Sequence, residues 1–362
     1  MAGFRMRRLD WVMEPAPGDL LEAEGVLNPA AARGPDGELY LFPRLVAKGN
    51  YSRIGIVRVR FDDLGDPVGV EWMGIALEPE ADYERSADGR GGCEDPRITF
   101  VEPLERYVMT YTALSPKGPR IALAVSEDLL HWQRLGLAAF DPYDGIEFEG
   151  VDNKDASIFP TAIANPSGRP ELALLHRPLF PGTSPEEISR QPATRDVRLH
   201  HESIWISYCP TALPDLNVDD VVRFTSHHRL AAPVASWEQI KIGGGTPPLM
   251  TPLGWLIVYH GVSAAPGHAR SEHLLRYSAG VMVLAKEHPR TVLYRSPEPL
   301  LTPTTPQELS GTVADVVFPT GIDRRDDLGT PNRFDVYYGM ADSSIGVARL
   351  DVPDSLPRAP ST

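Results

Sequence analysis

The stretch Gly254-Trp255-Leu256-Ile257-Val258-Tyr259 is one of five of a kind. The others are Gly37-Glu38-Leu39-Tyr40-Leu41-Phe42, Arg106-Tyr107-Val108-Met109-Thr110-Tyr111, Glu171-Leu172-Ala173-Leu174-Leu175-His176 and Arg333-Phe334-Asp335-Val336-Tyr337-Tyr338. Each is a short apolar run bounded by Gly, Pro, Asp or Asn, which is the pattern of a buried β-strand rather than of a helix. Taking Leu39, Tyr107, Leu172, Trp255 and Phe334 as equivalent points, the separations are 68, 65, 83 and 79 residues. A further strand follows each copy, as in Ser52-Arg53-Ile54-Gly55-Ile56-Val57 and Tyr277-Ser278-Ala279-Gly280-Val281-Met282. Recurrence at such a period marks supersecondary units that bury their faces only by stacking on one another.

Divided by five, 362 residues give about 72 per unit, room for a four-stranded antiparallel sheet with generous loops. The expected fold is all-β, a five-bladed β-propeller forming a single domain over 1–352, with a disordered tail over 353–362. The first strand of each blade would line a central channel. A two-sheet sandwich followed by a second β domain satisfies the strand count as well. Residues 180–201 have little apolar patterning and read as a long loop over one face.

Composition narrows the function. The chain carries 49 acidic and 35 basic residues, a formal charge of −14, which excludes a large nucleic-acid footprint. Two cysteines, Cys93 and Cys209, are too few for a disulfide framework, so a reducing compartment is expected. The first residues lack the apolar run of a secretory signal, and no stretch reaches a membrane span, so a cytoplasmic protein is expected.

Three polar strings stand beside the repeats. Gly91-Gly92-Cys93-Glu94-Asp95-Pro96-Arg97 places two carboxylates and an arginine on a stiff turn at a strand entrance. Val151-Asp152-Asn153-Lys154-Asp155 precedes the third repeat, which closes with His176-Arg177-Pro178. Lys241-Ile242-Gly243-Gly244-Gly245 leads into the fourth, which ends Tyr259-His260-Gly261. The glycine run lacks the spacing of a nucleotide-binding loop and reads as a turn. Lys154, Arg177, Lys241 and His260, each next to a channel strand, suit an anion such as phosphate, which needs charge and hydrogen-bond donors. The alternative is that each is a paired surface charge. The clusters His200-His201-Glu202 and His227-His228 lack metal-ligand spacing, and no metal is expected.

Together these strings resemble glycoside hydrolase family 130, the β-mannoside phosphorylases and related mannosidases, from Asn28 to Asp342. The resemblance implies the five-bladed propeller and a reaction: inverting phosphorolysis of a β-linked manno-oligosaccharide to α-mannose 1-phosphate and a shortened acceptor. It implies Asp95 as general acid, Lys154, Arg177, Lys241 and His260 as the phosphate cradle, and Asn28, Arg44, Arg53, Arg97 and Asp342 around the mannose; Tyr51 and Trp205 are candidates to stack on the sugar, with a structural aromatic as the alternative for each. Inorganic phosphate is then a co-substrate and no cofactor is needed. A phosphorylase needs one catalytic carboxylate where an inverting hydrolase needs two. In a β-mannosidase of the same fold the base would be sought among Glu147, Glu149, Asp152 and Asp155. A non-catalytic glycan-binding propeller would need no acid. Neither nucleic acid nor membrane is an expected partner, and the resemblance allows a homo-oligomer.

Overall fold

The computed structural model describes residues 3–180, 201–265, 275–330 and 332–357. In chain order the strands are β1 (Arg5–Met13), β2 (Gly25–Arg33), β3 (Leu39–Ala47), β4 (Tyr51–Phe61), β5 (Pro67–Leu77), β6 (Gly91–Val101), β7 (Arg106–Ser115), β8 (Gly118–Ser126), β9 (Gln133–Leu137), β10 (Ala139–Phe140), β11 (Asp152–Ile158), β12 (Ile163–Ala164), β13 (Pro170–Glu171), β14 (Ala173–Leu179), β15 (Ile204–Tyr208), β16 (Arg223–Ala231), β17 (Lys241–Gly244), β18 (Leu249–Thr251), β19 (Gly254–Ala264), β20 (Leu275–Leu284), β21 (Val292–Arg295), β22 (Val317–Arg324), β23 (Arg333–Met340) and β24 (Ser344–Asp351). The fold is all-β.

The strands group into five antiparallel meanders: β2-β3-β4-β5, β6-β7-β8-β9, β11-β14-β15-β16, β17-β19-β20-β21 and β22-β23-β24-β1. The first two are joined by a short parallel contact of Tyr51 and Ser52 with Gly91 and Gly92. The last is completed by the N-terminal strand, Arg5 opposite Asp351. The five repeated stretches are the second strands, β3, β7, β14, β19 and β23, and not the first. They are buried almost throughout because each sheet is covered on both faces, which explains apolar runs without alternation. Outer strands such as β1 and β9 alternate or lie exposed.

The core follows the same plan. One apolar cluster lies between the first and second sheets (Phe42, Ile56, Met109), one between second and third (Val108, Leu123, Leu174), one between third and fourth (Leu175, Ile206, Ile257), one between fourth and fifth (Val258, Val281, Val336), and one between fifth and first (Tyr337, Val347, Leu41).

Three sheets share a buried lock. In the second, Glu84 accepts hydrogen bonds from Tyr111 on β7, from Arg134 Nε on β9 at 2.9 Å, and from the backbone of Glu80 and Ala81. In the fourth, Glu238 takes Tyr259, Arg295 and the amides of Val234 and Ala235. In the fifth, Glu308 takes Tyr338, Arg8 and the amides of Thr304 and Thr305. Each carboxylate is fully buried and fully partnered, so each ties the entry turn, second strand and fourth strand of its sheet together.

Residues 353–357 of the expected tail lie among the described residues. Leu356 packs on the core, and Asn332 Nδ2 donates to Asp354 Oδ1 at 3.1 Å. Residues 181–200 of the expected loop and residues 358–362 of the expected tail lie outside the described residues. No helix among the described residues is long and apolar enough to cross a membrane.

Candidate active site

The first strands carry the site. Strand β2 packs against β6 and β22, and β11 packs against β6 and β17, so their bulged ends are brought together. The Glu-Asp-Pro-Arg string is not a turn before a strand but part of β6, where Asp95 and Pro96 bulge opposite one residue of β7. Proline has no N–H for the ladder, and Asp95 takes φ 47°, a region that aspartate and asparagine tolerate. The same device recurs at Asn28-Pro29 in β2, with φ 45° at Asn28, and at Asp155-Ala156 in β11, with φ 56° at Asp155.

Around Asp95 the structure gathers the residues expected to hold the sugar. Asn28 Nδ2 donates to Asp95 Oδ1 at 2.9 Å, and Arg44 Nη1 reaches the same oxygen at 3.3 Å. Arg44 also binds Glu94 Oε1 at 2.6 Å, Ser52 Oγ and Asn50 Oδ1. Burial pushes the Asp342 carboxyl up to about 6, with Arg44 opposing and Asp95 and Glu94 adding to the rise. Burial likewise raises Glu94, against the pull of Arg44. Three carboxylates thus share one arginine.

The expected phosphate residues also converge. Lys154 on β11 stands directly opposite Arg177 on β14. Asp155 accepts from Arg177 Nε at 2.6 Å and lies 3.6 Å from Arg97 and 3.7 Å from His260 Nε2. Arg177 and Arg97 hold the Asp155 carboxyl far below its ordinary range despite complete burial. Lys241 Nζ lies 3.9 Å from Glu202, which also pairs with Arg177, and 5.8 Å from the Tyr277 ring. Burial lowers Lys241 to about 8, and the neighbouring Arg177 lowers it further while Asp155 opposes. Burial also lowers His260 to about 3, so its imidazole is neutral; neither ring nitrogen has a hydrogen-bond partner among the described residues. Lys154, Arg177, Lys241 and Arg97 against Asp155 and Glu202 leave an excess of two positive charges among these side chains.

The glycine run is not a turn: Gly243 and Gly244 belong to β17. A Cβ on Gly243 would stand 2.2 Å from Asp155 Oδ2 and 2.4 Å from His260 Cε1, so glycine is what lets these side chains meet.

Some expected residues stand elsewhere. Arg97 is 1% exposed and donates to the carbonyls of Asp95, Gly244 and Gly245, so its guanidinium joins the β6 bulge to the end of β17. Arg53 is held by Glu78 and lies over Tyr51 at 5.2 Å. Trp205 is buried against Phe148 and Phe180, a core residue instead of a sugar platform. Tyr277, near the ring of His260 and in the field of both Arg177 and Asp342, was not legible from the motifs, nor was Glu202 as a partner of the cradle.

A family model described as beta-1,4-mannooligosaccharide phosphorylase, glycoside hydrolase family 130, matches residues 10–356. The chain belongs to glycoside hydrolase family 130. Among family members, the 1,2-beta-oligomannan phosphorylase of Thermoanaerobacter sp. (strain X514) is 28% identical over 347 residues, 95% of each chain. The beta-1,2-mannobiose phosphorylase of the same strain is 30% identical over 263 residues, 72% of this chain and 67% of that one. The solved structure of the beta-1,2-mannobiose phosphorylase from Listeria innocua, in complex with beta-1,2-mannobiose, superposes with a TM-score of 0.67 at 22% identity, covering 96% of this chain and 97% of that one. The likeness to that structure extends over the whole fold.

Proposed function

We propose that this family 130 protein is an inverting β-mannoside phosphorylase, built as a single five-bladed propeller with its active site where the first strands meet. The five meanders, with one apolar cluster between each consecutive pair and a last one between fifth and first, support the propeller. Asp95 serves as general acid toward the glycosidic oxygen. Lys154, Arg177, Lys241 and His260 hold phosphate for attack on the anomeric carbon from the opposite face. Asn28, Arg44 and Asp342 hold the mannose, with Arg53 and Tyr51 at its edge and Arg97 as the link between acid and cradle.

The observation that carries this reading is the pairing of one acid with a cationic cluster whose own carboxylates, Asp155 and Glu202, are paired with cations. Glu147 is exposed and caps its own turn, Glu149 is exposed, Asp152 pairs with Arg120, and Asp155 is locked among cations. A hydrolase needs a base with room for water opposite the acid. The phosphorylase names of the relatives support the same conclusion. A cytoplasmic site of action agrees with two buried, unpaired cysteines.

The test is product analysis on β-1,2- and β-1,4-mannobiose with and without inorganic phosphate. Phosphate-dependent mannose 1-phosphate is expected. Free mannose at a rate that phosphate leaves unchanged would replace this reading with the hydrolase.

A further inference from the structure

Four positions after the equivalent point of each repeat stand Tyr111, His176, Tyr259 and Tyr338 in the second to fifth sheets; Tyr111 and His176 lie opposite the bulges of β6 and β11, whereas Tyr259 pairs directly with Gly244. In three sheets the residue at this position is the tyrosine of the buried glutamate lock. Among the described residues the third sheet shows no such lock, and His176 takes the place of the tyrosine.

A different network surrounds His176. Its Nδ1 meets the Asn153 side-chain amide, Nδ2 at 2.9 Å and Oδ1 at 3.2 Å, and its Nε2 meets Ser207 Oγ at 2.6 Å. Ser207 Oγ meets His227 Nδ1 at 2.7 Å, and His227 Nε2 meets the Asp141 carbonyl at 2.8 Å. The direction of every bond follows from the last one. A carbonyl only accepts, so His227 carries its proton on Nε2 and accepts at Nδ1 from the serine hydroxyl. Ser207 then accepts from His176 Nε2–H, and His176 Nδ1 accepts from the Asn153 amide. Burial keeps both rings neutral, His176 well below its ordinary value and His227 at about 4, as this order requires. The rings are packed as well as bonded, His176 on Phe140 at 4.7 Å and His227 on Phe148 at 4.2 Å.

The head of the chain lies at the cradle. Asn153 and His176 immediately precede Lys154 and Arg177, and Asp155 and Ala156 bulge opposite His176. The backbone ladder is weak here, because Asn153 stands opposite Pro178, which has no N–H to give.

We infer that His176 is a positioning residue for phosphate: as the pivot of a one-way chain from Asn153 through Ser207 to His227, it fixes the β11 bulge and so the relative placement of Asp155, Lys154 and Arg177. The inference rests on the phosphate reading of that cradle. It assigns His176 no contact with phosphate or sugar.

Two substitutions separate bonding from packing. His176→Phe keeps a flat ring against Phe140 and removes both hydrogen bonds. His176→Gln keeps one acceptor and one donor joined through a single carbon, as the two ring nitrogens are, and so the polarity that the chain needs. The measurements are the Kd of inorganic phosphate by calorimetry, the KM values for phosphate and for mannobiose, and Tm. Losing the buried bonds is expected to weaken phosphate on the order of tenfold or more, with the mannobiose KM within about twofold and His176→Gln restoring most of the loss. Ser207→Ala, which cuts the chain farther from the cradle, gives a smaller shift of the same kind and serves if the phenylalanine variant does not fold. Unchanged phosphate binding in a folded His176→Phe or Ser207→Ala protein overturns the inference. Parallel loss of both substrates with a fall in Tm, unrelieved by glutamine, overturns it too. If the wild type releases free mannose without phosphate, the phosphorylase reading fails, and the phosphate Kd still decides the role of His176. A wild type that binds no phosphate sinks both.

Discussion

Adding one methyl group at Gly243 tests the site without replacing any of its side chains. In Gly243→Ala the new Cβ meets Asp155 Oδ2 at 2.2 Å and His260 Cε1 at 2.4 Å, where ordinary contact begins at 3.4 Å. Something must move by about 1 Å. Asp155 is held by Arg177 and Arg97, and His260 is fully buried against Phe318 at 4.5 Å, so neither side chain has open space to swing into. Overpacking of this kind costs about 1–3 kcal/mol of stability. A misplacement of about 1 Å in a site costs on the order of 100-fold in rate. The expected result is a folded protein whose Tm drops by a few degrees and whose kcat/KM for phosphate falls on the order of 100-fold. Gly55→Ala is the control, since its Cβ meets only the ends of Leu45 and Trp72, at 3.0 and 3.1 Å. Full phosphorolysis by Gly243→Ala would show that the spacing of Asp155 and His260 does not set the cradle, and the reasoning would be wrong.

Other outcomes follow from the same structure. Asp95→Asn keeps an oxygen for Asn28 and Arg44, so Tm should hold while kcat falls about 10²–10⁴-fold, and steady-state kinetics beside a melting curve check both. Lys241 is charged below about 8, so kcat/KM for phosphate should decline as pH rises through that value, and Lys241→Met should lose that limb of the profile. For stability the sign is opposite: a lysine lowered from 10.5 to about 8 penalises the fold fully below 8, and the penalty is relieved between 8 and 10.5. Glu238→Ala leaves Arg295 and Tyr259 buried without their partner and should cost about 3–5 kcal/mol by denaturant unfolding, with Glu84→Ala and Glu308→Ala alike; a loss under about 1 kcal/mol would deny the locks their role.

Much of this was legible because repetition amplifies weak signals. A single run such as Trp255 to Tyr259 is ambiguous, but five at similar spacing are not, and their continuous apolarity reflects sheets covered on both faces. The first strands were harder to read. Glycine, proline and charged residues interrupt them, so Gly91–Arg97 and Gly243–Gly244 look like turns until the ladder shows their pairing. Site positions had a periodicity that motif reading passed over: Arg44, Arg177 and His260 all fall five residues after the equivalent point of their repeats. In the fifth repeat that place is Gly339, whose missing side chain makes room for Asn28 Oδ1. Tyr277 and Glu202 carry no such mark, since what brings them to the cradle is packing between sheets distant in sequence. Arg97 shows the converse: its residue type suited a sugar ligand, and only the carbonyls of Gly244 and Gly245, nearly 150 residues away, reveal what its guanidinium holds.

The N-terminal strand that completes the fifth sheet imposes an order on synthesis. Arg8 finds its carboxylate at Glu308, 300 residues later in the chain, and β1 has no ladder partner until β24 is made. At about 5–20 residues per second, that strand waits roughly 15–60 s on a ribosome. Through that interval an unpaired edge with Trp11 half exposed is available to any other nascent chain. Slow translation late in the message, or a shortage of chaperones that shield early segments, should therefore lower the soluble yield of this protein more than that of one whose first strand pairs at once.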